Sequence, residues 1–395
     1  MDKESMQDSG VEWIGAIPQD WKRYRIKDVS ELSPTYSKNK PDLETLCTVI
    51  PMECVSEKGN VETSNLELYE NIKKGLTLFE KGDVIFAKIT PCMENGKGAY
   101  IENLPTKYAF GSTEFHVLRT GYKLSGKFLY YYTFNDGFRN YATVNMTGAA
   151  GQKRVSTNFL KYTPIYLPDV SEQQAIAQYL DQRCGKLDAI IAIKQQQIKV
   201  LEALRQSIIY QAVTKGLDAS APLVDSGVEW IGAIPQGWKA KIIKREFDVK
   251  LGKMLQPLQK TELDTEEYYL KTSNVYWDGV DITDIKKMWF SPLDKINTEL
   301  QYYDLLVCEG GDVGHSALWK EEITPCYIQN AINRVRPIHH CSTKYLYYWL
   351  FFLKHAGYLD AIVSRITIAH LTAEKLERVE FLFPPSMNNN ESPIT

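Results

Sequence analysis

The sequence predicts an α+β chain in which two tandem pseudo-repeated units are joined by a long coiled-coil-forming helix. Three observations predict it. A fifteen-residue block near the start recurs 217 residues later. Short alternating apolar runs, broken by Gly/Asn clusters, fill the space after each block. One stretch, residues 172–215, holds no proline and a single glycine while apolar residues recur every seven positions. The expected organisation is a first unit over 1–170, the helix over 171–217, a second unit over 218–386 and a short tail over 387–395.

The repeat comes first because it fixes the architecture. Asp8-Ser-Gly-Val-Glu-Trp-Ile-Gly-Ala-Ile-Pro-Gln-Asp-Trp-Lys22 returns as Asp225 to Lys239 with fourteen of fifteen positions identical. Lys127-Phe-Leu-Tyr-Tyr-Tyr132 answers Lys344-Tyr-Leu-Tyr-Tyr-Trp349, again 217 apart, and Leu160 to Pro168 answers Leu376 to Pro384 at an offset of 216. Between these anchors the copies differ almost everywhere. Two sites of one kind that read different things would produce that pattern; purposeless drift in a duplicated fold is the bland alternative.

Each middle mixes strands and helices. Asp83–Ala87 and Glu114–Leu118 alternate like half-buried strands, with Tyr303–Cys308 and Ala331–Val335 as counterparts. Glu94–Gly98 and Glu309–Gly314 are turns. The Tyr-rich segments 127–134 and 344–353 read as helices covering a sheet, their aromatics serving the core. Trp13, Trp21, Trp230 and Trp238 read as structural anchors.

The joining helix has its own signals. Ser171 is an N-cap candidate, with Gln174 completing a capping box. Lys215-Gly216 is a stop, a cation in the last turn followed by glycine. Leu180, Leu187, Leu201 and Ile208 form one heptad row, with Lys194 filling the gap, and Cys184, Ile191 and Ile198 form a second. Such a seam must meet another helix. By the repeat, a second helix of this kind would follow Pro384, yet Ser-Met-Asn-Asn-Asn-Glu-Ser-Pro-Ile-Thr shows no heptads.

Composition excludes several classes. The 395 residues carry 46 Lys+Arg against 49 Asp+Glu, so charge alone does not bind nucleic acid. Residues 1–170 hold 21 of each sign, 171–217 hold 6 basic and 4 acidic, and 218–395 hold 19 and 24. The seven widely spaced cysteines and the absence of a signal peptide predict free, mostly buried thiols in a reducing cytoplasm. No apolar run approaches the roughly 18 residues that span a bilayer. No P-loop, no amino-methyltransferase motif, no metal-ligand spacing and no Gly-x-Ser-x-Gly elbow occurs. His339-His340 reads as an exposed turn.

The motifs together are specific. Gly-Val-Glu-Trp-Ile-Gly-x-Ile-Pro-x-x-Trp opens each half, and Pro-x-x-Ser-Glu-Gln-Gln-x-Ile-Ala-x-Tyr-Leu-Asp starts the joining helix. With Gln206-Ser-Ile-Ile-Tyr-Gln-Ala-Val-Thr-Lys-Gly-Leu217, the chain resembles the specificity subunit of a bacterial type I restriction–modification system, here lacking its C-terminal conserved helix. The resemblance covers essentially the whole chain. It implies two target-recognition domains, each reading one half of a bipartite, asymmetric site in double-stranded DNA. It further implies a non-catalytic subunit that directs modification and restriction subunits, with S-adenosylmethionine, ATP and Mg on those partners and no cofactor on this chain.

Candidate readers are polar side chains on loops able to approach a groove. In the first unit these are Lys88, Thr90, Asn95, Lys97, Thr113, Glu114, Gln152, Lys153 and Arg154. Gln pairs with adenine and Arg with guanine, and Lys153 suits a phosphate. In the second unit they are Lys271, Asn274, His315, Gln329, Asn330, Arg334, Arg365 and His370. Leu180, Leu187, Ile191, Ile198, Leu201 and Ile208 form the expected subunit interface, pairing with a second copy, a separately encoded helix or the modification subunit. Two other functions compete. A remnant or decoy would bind modification subunits without forming an active complex, and a self-contained enzyme would need catalytic residues that the motifs do not offer.

Overall fold

The computed structural model describes residues 6–35, 40–72, 75–149, 151–339, 341–363 and 370–385. The expected tail over 387–395 and Arg365 lie outside them. The chain divides into two compact units, Met1–Ala192 and Ile193–Thr395.

The first unit opens with β1 (Met6–Asp8) and β2 (Ala16–Pro18), then β3 (Lys22–Arg25), α1 (Ile26–Val29) and β4 (Ser30–Leu32). The variable middle contains β5 (Leu46–Ile50), β6 (Leu66–Leu68), β7 (Thr77–Phe79), β8 (Val84–Ala87), β9 (Gly98–Tyr100), β10 (Ala109–Gly111) and β11 (Phe115–Thr120). Next come α2 (Gly126–Phe134), α3 (Asp136–Val144), α4 (Thr157–Tyr162), β12 (Pro164–Leu167) and α5 (Val170–Lys215). The sheets run β6–β5–β10–β7 and β4–β11–β8–β9, and β12 pairs with β3. Both faces of β8 are covered. Val84 and Phe86 pack on Phe128, Leu129 and Phe138 of α2 and α3. Ile85 packs with Ile50 and Phe79 of the other sheet and with Val117 of the neighbouring β11.

The second unit repeats this plan. It contains β13 (Leu223–Asp225), β14 (Ala233–Pro235), β15 (Lys239–Ile242), β16 (Phe247–Leu251), β17 (Thr265–Leu270), β18 (Val275–Tyr276), β19 (Gly279–Val280), β20 (Lys286–Phe290) and α6 (Pro292–Thr298). They are followed by β21 (Leu305–Cys308), β22 (Ser316–Leu318), β23 (Tyr327–Ile328), β24 (Ile332–Pro337), α7 (Thr343–His355), α8 (Tyr358–Val363), α9 (Ala373–Glu377) and β25 (Glu380–Phe383). The sheet β16–β24–β21–β22 matches β4–β11–β8–β9, and β15–β25 matches β3–β12. The expected strands and covering helices are therefore present in both units.

The repeated block folds the same way twice, because its side chains dictate a local turn. The Asp8 carboxylate accepts from the Gly10 amide at 2.9 Å, and Asp225 accepts from Gly227 at 3.0 Å. The tryptophans anchor as expected. The Trp13 ring lies 5.6 Å from Tyr132 and 5.9 Å from Tyr141. Trp230 lies 6.1 Å from Trp349 and 4.6 Å from Tyr358, at the same offset. Trp21 packs edge-on against Phe128 at 6.2 Å.

Helix α5 is continuous over 46 residues, a contour of roughly 69 Å. Its N-terminal cap is Asp169 rather than Ser171. The Asp169 carboxylate accepts from the Glu172 amide at 2.8 Å and from the Ser171 hydroxyl at 2.6 Å. Asp169 wins because it stands one residue before the first helical position, where its oxygen reaches the free N–H groups. The start of α5 is fixed to the first unit. The buried Gln173 amide accepts from the Ser125 N–H at 2.9 Å and donates to the Lys123 and Pro168 carbonyls. Asp181 receives Lys127 at 2.8 Å and the Tyr131 hydroxyl at 2.7 Å. The end of α5 belongs to the second unit, where Ile209 and Val213 join its core and Gly216 terminates the helix at φ +76°. Between these ends Leu187, Ile191, Ile198, Leu201 and Ile208 are exposed, and Leu180 is half-buried.

The cysteines are free. Cys47, Cys308 and Cys326 are buried, Cys54, Cys92 and Cys341 half-buried, and Cys184 is exposed on α5. Among the described residues, no helix is long and apolar enough to cross a membrane.

Candidate nucleic-acid interface

In the first unit, antiparallel β8 and β11 bring the residue after Ala87 beside the residue before Phe115. The Lys88 amide donates to the Glu114 carbonyl at 2.8 Å, and the Val155 amide donates to the Lys88 carbonyl at 2.8 Å. Three chain segments far apart in sequence are thus braced at one end of the sheet. Thr90 extends the brace. Its amide donates to the Lys153 carbonyl at 3.0 Å, and its hydroxyl accepts from the Lys153 amide at 3.2 Å. From within the sheet, the buried His116 Nε2 donates to the Val155 carbonyl at 2.9 Å. Burial lowers the His116 pKa to about 4, so the ring is neutral and keeps its N–H for this bond.

Lys88, Thr90, Glu114, Gln152, Lys153 and Arg154 therefore share one place. Gln152 and Lys153 are exposed, as are Thr113 and Asn95 on neighbouring turns. Arg154 is engaged. Its guanidinium forks onto Glu114, with nitrogens 2.9 and 3.0 Å from the two carboxylate oxygens. Hydrogen bonding from Arg154 lowers the Glu114 pKa, and the same bond raises that of Arg154. Arg154 can hold its loop in shape, and the fork leaves Nη hydrogens that Glu114 does not use. Lys97 turns inward. Its ammonium donates to the Met52 carbonyl at 3.2 Å, which makes it a strut and corrects its place among the readers.

In the second unit the same brace recurs. The Glu309 amide donates to the Ala331 carbonyl at 2.8 Å, and the Leu371 amide donates to the Glu309 carbonyl at 2.9 Å. The buried Asn333 Nδ2 donates to the Leu371 carbonyl at 3.2 Å. Ala331, Asn333 and Leu371 stand at the positions of Glu114, His116 and Val155. Glu309 stands at that of Lys88. Gln329, Asn330 and His370 adjoin this brace. Gly252 lets the Gln329 backbone approach, since a Cβ there would lie 2.4 Å from its carbonyl carbon. Gly310 leaves room for the His370 ring in the same way.

Two expected readers of the second unit are scaffold. Asn274 is buried; its side chain accepts from the Lys271 amide at 3.0 Å and donates to the Asp281 carbonyl at 2.8 Å. Arg334 is buried on β24, 3.1 Å from Asp248 and 3.3 Å from the Glu299 carbonyl, and burial lowers its pKa. Its strand is central and covered on both faces, so no polar side faces solvent. Lys271 pairs with Asp284 at 2.7 Å, and His315 lies against Trp277 with its Nε2 3.3 Å from Asp312. Their backbones lie beside the brace, since the His315 carbonyl accepts from the Cys308 amide at 2.8 Å and the Leu270 carbonyl accepts from the Gln329 amide at 2.9 Å, but these side chains are engaged by neighbouring carboxylates. Glu309 was not expected. The two strand pairs run in register, but Lys88 and Glu309 are 221 apart rather than 217, so the simple offset misses it.

A second surface lies in the second unit. A groove of about 820 Å³ is lined by Leu201, Leu204, Ile208, Trp238, Tyr345 and Tyr348. Trp238 and Tyr348 stand where the first unit has Trp21 and Tyr131.

Residues 18–203 and 247–392 match the model of the type I restriction modification DNA specificity domain. The chain belongs to that family. Specificity-domain relatives include the EcoAI specificity subunit of Escherichia coli, 32% identical over 195 residues. The EcoEI specificity subunit of the same organism is 29% identical over 197 residues. Each alignment covers 49% of this chain and 32% of the relative, so the chain matches about a third of their length. The putative MjaX specificity subunit of Methanocaldococcus jannaschii is 26% identical over 60% of this chain and 55% of that one. Among solved structures, a chain from work on assembly and conformational transition of the type I R-M system superposes with TM-score 0.70 at 18% identity. It covers 93% of this specificity-domain protein and 87% of that chain. The HsdS subunit from Thermoanaerobacter tengcongensis gives 0.58 at 17% identity, covering 96% and 87%. These likenesses establish the fold, with both units included.

Proposed function

We propose that this chain is the non-catalytic, sequence-reading subunit of a type I restriction–modification complex. It reads a bipartite, asymmetric site in double-stranded DNA and directs modification and restriction subunits to it. One observation carries the reading: the same backbone brace is built twice and presents different side chains each time. A shared scaffold with exchanged polar groups suits two half-sites of unlike sequence. S-adenosylmethionine, ATP and Mg belong on the partner subunits in this reading, which also places the complex in the cytoplasm.

The slightly negative net charge of the chain, -3, fits a reader whose phosphate contacts come largely from partners. The groove in the second unit supports helix docking. In the first unit Lys127 and Tyr131 hold Asp181 of α5, and Lys344 and Tyr348 are the equivalent positions in the second. A helix of the Ser-Glu-Gln-Gln type is the occupant that this repetition favours, and the exposed seam of α5 would lie alongside it.

Co-expression with the modification subunit tests the function. Adenine methylation at a two-part motif supports it. A stable complex that never methylates would instead mark a remnant or decoy.

A further inference from the structure

We propose that Lys88 and Glu309 set opposite hydrogen-bonding demands at the two half-sites: Lys88 selects a base edge rich in acceptors, and Glu309 selects one that offers an amino group. The inference rests on the reading of the chain as a DNA-recognition subunit.

The two residues are structurally equivalent by four backbone bonds. Each follows the inner strand of its sheet. Each donates its amide to the residue preceding the next strand, at 2.8 Å in both units. Each accepts at its carbonyl from the residue that closes the third segment, at 2.8 and 2.9 Å. The side chains leave from matching points on matching frames.

They also share a state. Both are half-buried. Neither side chain forms an ion pair or hydrogen bond with a described residue, whereas neighbouring Arg154 is held by Glu114. A half-buried charge without a partner becomes costly when a ligand excludes the remaining water, unless the ligand supplies the partner. Glu309 therefore asks for a complementary group from outside, and Lys88 does so less strongly, because its charge already acts on the nearby Glu114 carboxylate.

The chemistry of that group differs by sign. An ammonium only donates, and an ionised carboxylate only accepts. In the major groove, guanine offers two acceptors, while cytosine and adenine offer amino donors. Lys88 could also serve a phosphate. Glu309 could not, because phosphate repels it, so a base amino group is its favourable partner in a DNA complex. Glu309 is thus the sharper of the two assignments.

The test uses the chain assembled with its modification subunit and a pool of duplexes with randomised sequence. Wild type is expected to enrich a two-part motif. Glu309→Gln should relax one position of one half by about tenfold or more, and Glu309→Lys should move that position toward guanine, while the other half stays as in wild type. Lys88→Gln should alter the other half alone. If Glu309→Lys and Glu309→Gln both enrich the wild-type motif, this inference is overturned and the recognition function stands. If Glu309→Lys disturbs both halves, the isosteric Glu309→Gln decides between local and global damage; loss confined to one half supports the assignment, and equal loss in both overturns it. If wild type enriches no motif, the recognition function itself fails.

Discussion

His116 and Asn333 stand 217 residues apart and perform the same task with different chemistry. Each is buried on the central strand of its unit, and each donates one side-chain hydrogen bond to the carbonyl that closes the adjacent segment, Val155 or Leu371. An imidazole in one unit and a carboxamide in the other hold equivalent braces. What the fold requires at this place is a buried donor, and either residue type meets that need.

The difference has a pH consequence. Burial holds the His116 pKa near 4, below the ordinary 6.5 that it regains on unfolding. The unfolded chain therefore takes up a proton first as pH falls. Stability from the neutral ring is full above about pH 6.5 and is lost progressively toward pH 4, on the order of 3 kcal/mol in all. His116→Asn should remove that slope. Urea unfolding of both proteins at pH 7 and pH 4.5 checks it, and equal pH slopes would show that His116 is not the group responsible.

The Glu114–Arg154 fork should matter more for recognition than for stability. Its side chains are 27% and 42% exposed, so solvent screening keeps its contribution to stability small. Glu114→Gln should shift the melting temperature only slightly while changing the preference of one half-site, since Arg154 is released. Melting curves and duplex selection on the same preparation would separate the two effects. A large thermal loss with an unchanged motif would refute the division.

Trp349 and Tyr132 offer a matched exchange. The Trp349 Nε1 donates to the Glu380 carbonyl at 2.8 Å, and the Tyr132 hydroxyl donates to the Pro164 carbonyl at the equivalent place. Trp349→Phe removes the donor and should cost roughly 1–3 kcal/mol for the orphaned carbonyl, beyond the lost ring area. Trp349→Tyr should lose less. Denaturant midpoints would show the order, and Phe equal to Tyr would mean that the bond contributes nothing.

The seam of α5 should be a partner surface. Leu201 is 62% exposed, so Leu201→Lys should leave folding intact to within about 0.5 kcal/mol. It should weaken assembly with the modification subunit or a partner helix, as followed by light scattering of the mixture. Undiminished assembly would remove α5 from the interface.

Much of this architecture was legible in the sequence because periodicity and duplication are strong signals. The short apolar runs in Asp83–Ala87 and Glu114–Leu118 located β8 and β11, although Val84–Ala87 and Phe115–Leu118 are buried on both faces rather than half-buried as their alternation suggested, and the heptads located α5. Function was harder to read, because polarity alone does not tell a reader from a strut. Lys97, Asn274 and Arg334 look like groove contacts in sequence, but their side chains hold backbone carbonyls or carboxylates inside the fold. Arg334 misleads for a physical reason, since β24 is covered on both faces and its alternation has no solvent side. Glu309 was hidden by four extra residues that shift its register against Lys88.

Duplex selection by the wild-type chain in complex with its modification subunit tests the central claim most directly. The expected result is an asymmetric motif in two blocks separated by a gap of fixed length, with Lys88 variants changing one block and Glu309 variants the other. A single contiguous motif, or enrichment that ignores sequence, would contradict the reading of two braces as two half-site readers.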